Sequence, residues 1–356
     1  MRLLMLVVRM DEDDWATAFI PRWVEALAQH VERVDVLALE VGHVATLPAN
    51  VRVHSMGKTS TSTPAPRDQL ARWRVLYGFY RQTWRLLPRC DAVFVHMIPR
   101  YAWLIAPFAV LYGKPITLWY THRQISADLK RALPFVRRVV TAVPNSFPLP
   151  STKVRPLGHG VNPSFFMPAP SRLRERLIVH VARLQPIKQQ ALLIEALPHL
   201  PDYTAVFIGG IPEGEDPTYL ETLRHHAERL GVAQRVIFTG GLSAEAVRDW
   251  YQRASIAINL SPIGLFDKAA LESMLCQTPT LVTNPAFADV LGEYAPMLIT
   301  GYSVPQLTAT IQLISNLNDT ERTQLGEHLR QQVIAQHSLS ALIPRLVSVL
   351  NTGEIT

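Results

Sequence analysis

Short apolar runs rich in β-branched residues alternate along the chain with longer amphipathic stretches, and this alternation predicts the elements. Residues 3–8 read as a buried strand, followed by a helix from about 15 to 30 and a second strand at 34–39. Residues 51–55 alternate as a further strand, and 92–95, 116–119, 139–142 and 153–157 close a first series. A turn-rich break at 158–163, followed by Pro168 and Pro170, reads as a linker. A second series has strands at 177–181, 205–208, 236–238, 256–260, 280–282 and 297–299, with helices between them. The segments 303–316, 319–337 and 339–351 read as helical throughout. Repeated β-α-β order predicts parallel, doubly wound sheets. The expected fold class is therefore α/β, with two Rossmann-like domains at 1–160 and 161–337 and a last helix within 338–356 that crosses back to the first. At 356 residues, each domain is long enough for its own core.

The helix predicted over 68–88 carries Trp73, Leu76, Tyr80, Trp84 and Leu87 at helical spacing, with Arg74, Arg81 and Arg85 round another face. The pattern reads as core packing with a solvated basic side. A basic and aromatic face also suits an anionic membrane surface. Residues 57–66 are polar and proline-bearing and read as a mobile loop. Gly57, Lys58 and Thr59 are not a P-loop, because the leading glycine would fall at Arg52. The first apolar run stops at Arg9 and is followed by acidic residues 11–14 without a small-residue cleavage site, so it reads as a strand and not a signal peptide. The longest uncharged apolar stretch, 101–113, is too short to span a bilayer, and no transmembrane helix is expected. The formal charge of +6 admits anionic partners, but no basic stripe or recognition motif points to nucleic acid. Cys90 and Cys276 show neither metal-ligand spacing nor a disulfide framework, and read as buried thiols of a reducing compartment. A cytoplasmic setting is expected, at the inner face of the membrane if the basic face is used.

Three stretches carry candidate chemistry. In the first, the strand at 256–260 runs into Ser261, Pro262, Ile263 and Gly264, and a helix with Leu271 and Leu275 on one face starts at Lys268. Such a unit brings helix N-terminal N–H groups to the carboxyl edge of a sheet, where anions and hydrogen-bond acceptors are favoured. Glu272, one turn in, either faces that crevice or is an ordinary surface carboxylate. In the second stretch a strand ends at Val181, the chain turns through Pro186, and Arg183 and Lys188 project over one strand-end loop. Two cations there suit a diphosphate, with forked Arg–phosphate hydrogen bonds adding direction and the charge easing its departure as a leaving group. Two exposed bases in a surface turn are the plainer alternative. In the third, a strand runs from Val236 through Phe238 into Gly240, Gly241 and Leu242, where backbone can approach a flat ligand closely. A nucleobase packed there is one reading, a plain strand-to-turn junction the other. His96 and His122 fall at strand ends of the first domain, the edge at which open α/β sheets bind ligands.

The order of these pieces is what carries a resemblance: Arg183, Pro186 and Lys188, then Gly209 and Gly210, then Val236 through Gly240, then Ser261 through Glu272 with Thr278 and Pro279. The chain resembles the GT-B glycosyltransferases, and within them the retaining glycosyltransferase family 4. Tyr120, Thr121 and His122, with Gly158, His159 and Gly160, are similar to landmarks of its first half. The resemblance implies a GT-B fold, two domains facing a cleft, and transfer of a sugar with retention from a UDP- or GDP-linked nucleotide-sugar to a glycan or lipid-linked acceptor. It implies no metal and no cofactor, and no Asp-x-Asp motif stands in a suitable loop. Arg183 and Lys188 would hold the diphosphate, and Glu272 the ribose hydroxyls. Backbone amides at Leu265, Phe266, Asp267 and Lys268 would meet sugar and phosphate, and Phe238, Gly240 and Leu242 would complete the donor site. His122 would contact the transferred sugar near the reacting carbon.

Three positions depart from the family pattern. The Glu-x7-Glu pair keeps its second carboxylate as Glu272 but has Gly264 at the first, which leaves Asp267 as the candidate for the missing sugar contact. Gln277 stands where the family has glycine at a helix end, at a cost of about 1–2 kcal/mol if it is left-handed. The loop over residues 9–17, generally near the acceptor, is acidic and lacks glycine; Asp14 and His96 are the acceptor-side candidates. Two alternatives stand beside transfer: a sugar-nucleotide epimerase on the same architecture, and a non-catalytic relative that binds nucleotide-sugar.

Overall fold

The computed structural model describes residues 1–14, 17, 19–44, 47–58, 69–169, 172–212, 214 and 216–355. The chain forms two compact units, Met1–Gly160 with Leu339–Thr356, and Val161–Ser338. The expected mobile loop falls largely on residues outside those described, as do Trp15 at the predicted start of the first helix and Pro170 in the predicted linker.

The first unit is built on seven parallel strands: β1 (Arg2–Met10), β2 (Arg33–Val41), β3 (Val51–Lys58), β4 (Ala92–His96), β5 (Ile116–Trp119), β6 (Arg138–Thr141) and β7 (Val154–Pro156), in the order β3-β2-β1-β4-β5-β6-β7. Its helices are α1 (Phe19–Ala28), α2 (Gln69–Leu86), α3 (Pro99–Leu111) and α4 (Ala127–Ala132). A sheet covered on both faces needs apolar side chains on both, so its central strands are near-continuous apolar runs. One face of the sheet packs Met5, Val36 and Phe94 with Trp23 and Leu27 of α1 and with Leu342 and Leu346 of the C-terminal helix Leu339–Thr352. The other packs Leu4, Leu6 and Val93 with Phe79 of α2 and Ile105 of α3. The core face of α2 is thus Phe79, Thr83 and Leu86, with Leu76 and Tyr80 half-buried, and the expected pattern is corrected: Trp73 and Trp84 lie on the exposed side.

The second unit has five parallel strands, β8 (Glu175–Val181), β9 (Thr204–Ile208), β10 (Val236–Gly240), β11 (Ala254–Asn259) and β12 (Thr280–Val282), in the order β10-β9-β8-β11-β12. The helices are α5 (Gln190–Ala196), α6 (Tyr219–Arg229), α7 (Ala244–Arg253), α8 (Lys268–Leu275), the single turns α9 (Ala288–Leu291) and α10 (Ala295–Leu298), then α11 (Val304–Ser315) and α12 (Asp319–His337). The strand expected at 297–299 is α10 instead. Pro296 in its first turn suits the start of a helix, and only Ile299 beyond it makes a bridge, to Val282. In each sheet the strand order reverses beside the first strand, between β1 and β4 and between β8 and β11, and the crevice outside the carboxyl ends at such a point is where α/β sheets take ligands.

The position of α8 is fixed at its carboxyl end. Its chain leaves through a left-handed Gln277, φ 56°, with Gln277 N–H donating to Met274 C=O at 2.9 Å and Thr278 N–H to Ser273 C=O at 3.1 Å. This is the Schellman arrangement, and glycine is its usual occupant. Arg174, largely buried, donates to the carbonyls of Tyr251, Ala254, Cys276 and Gln277 and to Thr278 Oγ1, and Arg330 donates to Leu275 C=O. Two cations at a helix carboxyl terminus satisfy its orphan carbonyls and oppose its partial negative charge. Gln277→Gly relieves the left-handed strain without removing any of these backbone bonds. It is expected to raise the unfolding free energy by about 1 kcal/mol, measured by urea titration with an unchanged m-value.

Candidate active site

The loops after β8 and β11 meet at the reversal point of the second sheet. After β8 the chain passes Arg183 and makes a single 3-10 turn, Pro186–Lys188, before Gln189 takes a left-handed φ of 57° and opens α5. That turn carries the Lys188 ammonium inward, where the residue is buried. After β11 the chain turns at Gly264, φ 90°, and Asp267 occupies the N-cap position of α8. The Asp267 carboxylate does not cap that helix. Its Oδ2 accepts from Lys188 Nζ at 2.5 Å, from Ser261 Oγ and from Asn259 Nδ2 at 3.2 Å, while Lys188 Nζ also donates to Ser261 Oγ at 2.9 Å.

Burial alone would raise the Asp267 carboxyl, but the Lys188 charge and the hydrogen bonds from Lys188, Ser261 and Asn259 outweigh it and hold the group below its usual range. His180, the penultimate residue of β8, lies beneath the cluster. Its two ring nitrogens have no partner among the described residues, and burial, helped by Lys188 and opposed by Asp267, pushes its pKa down to about 3. A neutral imidazole leaves Lys188 as the cation of the site floor.

The remaining candidates fall into three groups. Glu272, one turn into α8, is half-buried with Lys268 3.8 Å away on the same helix face. Asn284 Nδ2 donates to Leu265 C=O at 3.1 Å, and Phe266 stacks on Phe287 at 4.1 Å, so the start of α8 is held in place by its own loop. Arg183 is exposed; Gln190 holds its carbonyl at 2.9 Å, so its backbone is fixed although its guanidinium points outward, and it does not share the partners of Lys188. Phe238, Gly240 and Leu242 lie on or just after β10, an edge strand. Phe238 stacks on Phe207 at 5.1 Å, and Gly240 C=O accepts from Gly209 N–H at 2.9 Å. Gly209 is required there, since a Cβ would stand 2.1 Å from the Ala182 carbonyl oxygen. The loops after β8, β9 and β10 are therefore tied into one rim.

In the first unit, His122 is exposed on the loop after β5, with its ring edge-on to Tyr120 at 5.8 Å. His96 ends β4, at the carboxyl edge of the sheet, and is buried among Phe19, Trp23 and Trp119. Burial, reinforced by His159 and His122, pushes its pKa down to about 3. Asp14 accepts from Arg9 and from Thr17 N–H at 2.8 Å; Arg9 in turn pairs with Glu40, and Glu40 with Lys58. Within the acidic loop, Asp14 is thus matched by Arg9. Sequence reading named Ser261 only as part of its loop and missed Asn259 and His180, which lie within apolar strand patterns and have no motif of their own.

Parallel α/β units of this topology are the fold of the GT-B glycosyltransferases. Over 99% of this chain and 100% of that one, the structure superposes on Anabaena HepE in complex with UDP and glucose, with a TM-score of 0.75 at 16% identity. Over 98% of each chain it matches sucrose-phosphate synthase from Thermosynechococcus elongatus, with a TM-score of 0.78 at 16% identity. Residues 164–332 match the family described as glycosyl transferases group 1. GDP-mannose-dependent alpha-(1-6)-phosphatidylinositol monomannoside mannosyltransferase of Mycolicibacterium smegmatis is 30% identical over 188 residues, 46% of this chain and 47% of that protein. D-inositol 3-phosphate glycosyltransferase of Acidothermus cellulolyticus is 32% identical over 149 residues, 37% of this chain and 33% of that protein. The matched stretches span less than half of either relative's length.

Removing one partner of a largely buried ion pair leaves the other uncompensated, at a cost of about 3 kcal/mol. Lys188→Ala is expected to lower the unfolding free energy by roughly that amount at pH 7, and adding Asp267→Asn should restore part of it by removing the stranded charge. Because the folded pKa of Asp267 lies below its unfolded value of about 4, the native pair stabilises above that pH and its contribution fades as pH falls through the folded value. Urea titrations between pH 3 and 7 should show a shallower acid loss for Asp267→Asn than for the native chain.

Proposed function

We propose that this chain is a metal-independent glycosyltransferase that moves a sugar, with retention, from a UDP- or GDP-linked nucleotide-sugar to a glycan or lipid-linked acceptor. The observation that carries the reading is the buried Lys188 ammonium at the reversal point of the second sheet, paired with Asp267 at the N-terminus of α8, the helix that also carries Glu272. In this reading the diphosphate takes over hydrogen bonds that Lys188 now gives to Asp267 and Ser261. Charge developing on the leaving phosphate oxygen is then met by a preorganised cation, which lowers the barrier as well as binding the donor. Arg183, on the same loop, closes on the phosphates from the solvent side, and Glu272 accepts from the ribose hydroxyls.

Support for the donor class comes from the family match and from the names of the relatives, one GDP-mannose-dependent and acting on a phosphatidylinositol monomannoside, and from the UDP in the HepE structure. A second reading, binding of nucleotide-sugar without transfer, is favoured by two features: Lys188 already has an internal carboxylate partner, and Gly264 supplies no side chain at the neighbouring turn.

The test is release of free nucleoside diphosphate from a panel of UDP-, GDP- and ADP-sugars, with and without a mixed glycan and lipid extract. Extract-dependent release is expected from one UDP- or GDP-sugar in chelator, and Glu272→Ala should reduce kcat/KM by about 10²-fold, the scale of losing one preorganised hydrogen-bonding group, with the melting temperature retained. Saturable donor binding by calorimetry without turnover in any extract would replace transfer with the binding reading.

A further inference from the structure

The outward side of α2 is unlike the rest of the first unit's surface. Leu70, Trp73, Tyr77 and Trp84 recur at 3, 4 and 7 residues along one stripe and are 77, 67, 71 and 59% exposed. At 1.5 Å per residue the stripe runs about 21 Å. At its far end Trp84 meets the edges of Phe108 and Tyr112, both at 6.2 Å, and the same end of α3 presents Val110 and Leu111 at 69 and 70% exposure. Scattered exposed apolar residues need no explanation, but a contiguous set of large ones marks a surface that is covered in use.

The charges around the stripe say by what. Arg74, Arg81 and Arg85 flank it and are exposed, and between Asp68 and Asp91 the sequence has five arginines and no carboxylate. Lys114 follows α3, and no carboxylate occurs between Asp91 and Asp128. A second copy of this face would set arginines against arginines, which disfavours an isologous dimer through it. An aromatic and aliphatic stripe with arginines on its flanks matches the boundary between acyl chains and anionic head groups, where Trp and Tyr settle and basic side chains meet phosphate. None of the helices among the described residues is long and apolar enough to cross a membrane, and the opposite side of α2 is built into the core through Phe79 and Leu86. The helix therefore has one face for the protein and one left over.

We propose that the Leu70–Trp84 stripe of α2, with the end of α3, docks the protein on the surface of an anionic bilayer. The proposal stands on this surface alone and does not depend on the transfer reading, although it would bring a lipid-linked acceptor within reach.

The test is flotation of the full chain with vesicles of phosphatidylcholine alone or with a third phosphatidylglycerol, followed also by tryptophan emission. Binding is expected only to the phosphatidylglycerol vesicles, with a blue shift in emission and at least a tenfold loss of affinity between 50 and 500 mM salt. Charge reversal by Arg74→Glu, Arg81→Glu and Arg85→Glu together should abolish binding, and Trp73→Ser should weaken it severalfold, both with native melting temperatures. Should the triple variant not fold, Trp73→Ser and the salt series decide the matter. Three results would overturn the proposal: no binding to anionic vesicles, binding that is indifferent to salt and to Trp73→Ser, or a dimer in sedimentation that Trp73→Ser dissolves, which would assign the stripe to self-association.

Discussion

A single ammonium group, that of Lys188, joins the loop after β8 to the loop after β11 across the point where the second sheet reverses its strand order. An interior lysine has to be paired or it loses its charge, and here Asp267 and Ser261 supply the pairing. The same contact draws the Asp267 carboxylate away from the N–H groups of α8, whose N-cap position it occupies. The helix end is thereby left without a side-chain cap from Asp267 and with a cation bound to the residue at its N-cap position. What serves the fold in one state is thus the material for binding an anion in another.

That arrangement is only as good as the placement of α8, and the helix is held from both ends. At the carboxyl terminus the guanidiniums of Arg174 and Arg330 spend their donors on carbonyls that the last turn cannot satisfy for itself. At the amino terminus the contact runs through Asp267. Between them, Tyr251 Oη donates to Ala269 C=O at 2.9 Å, and Ser273 Oγ meets Thr280 Oγ1 at 2.8 Å. Glu272 stands on this fixed segment, so its backbone position is set by the core. A site carried on regular elements anchored in this way is already in position before a ligand arrives, which is the condition under which electrostatic stabilisation of a leaving group is effective.

Much of the scaffold could be read from periodicity, because strands covered on both faces are apolar nearly throughout and have no competing helical pattern. Periodicity failed where it had two answers. Residues 297–299 are apolar enough for a strand, but Pro296 committed the preceding turn to helix. Along α2 the aromatic residues suggested a core face, yet the core took Phe79, Thr83 and Leu86 and left Trp73 and Trp84 outside. Side-chain size names a residue that prefers burial, and only the neighbouring sheet decides which side is buried. The pairing of Lys188 with Asp267 was out of reach for a different reason: the partners are 79 positions apart on separate loops, and no local spacing announces them. The left-handed Gln277 was legible as a departure from a glycine, since backbone geometry at a helix end constrains residue type directly.

The basic residues divide into two populations with different work. Arg174, Arg235 and Arg330 place their guanidiniums against backbone carbonyls, Arg235 reaching those of Leu197, Leu200 and Tyr203, and so act as architecture inside the second unit. Such groups are committed: moving one to contact a ligand would orphan several buried acceptors at once, each at a cost of about 1–3 kcal/mol. Those on α2 sit on a surface stripe with no acidic residue in their stretch of sequence. Arg174, Arg235 and Arg330 are partly exposed and held by carbonyls, whereas Arg74, Arg81 and Arg85 are exposed. A formal charge of +6 does not show this division, and the exposed side of α2 is one place where basic side chains face outward.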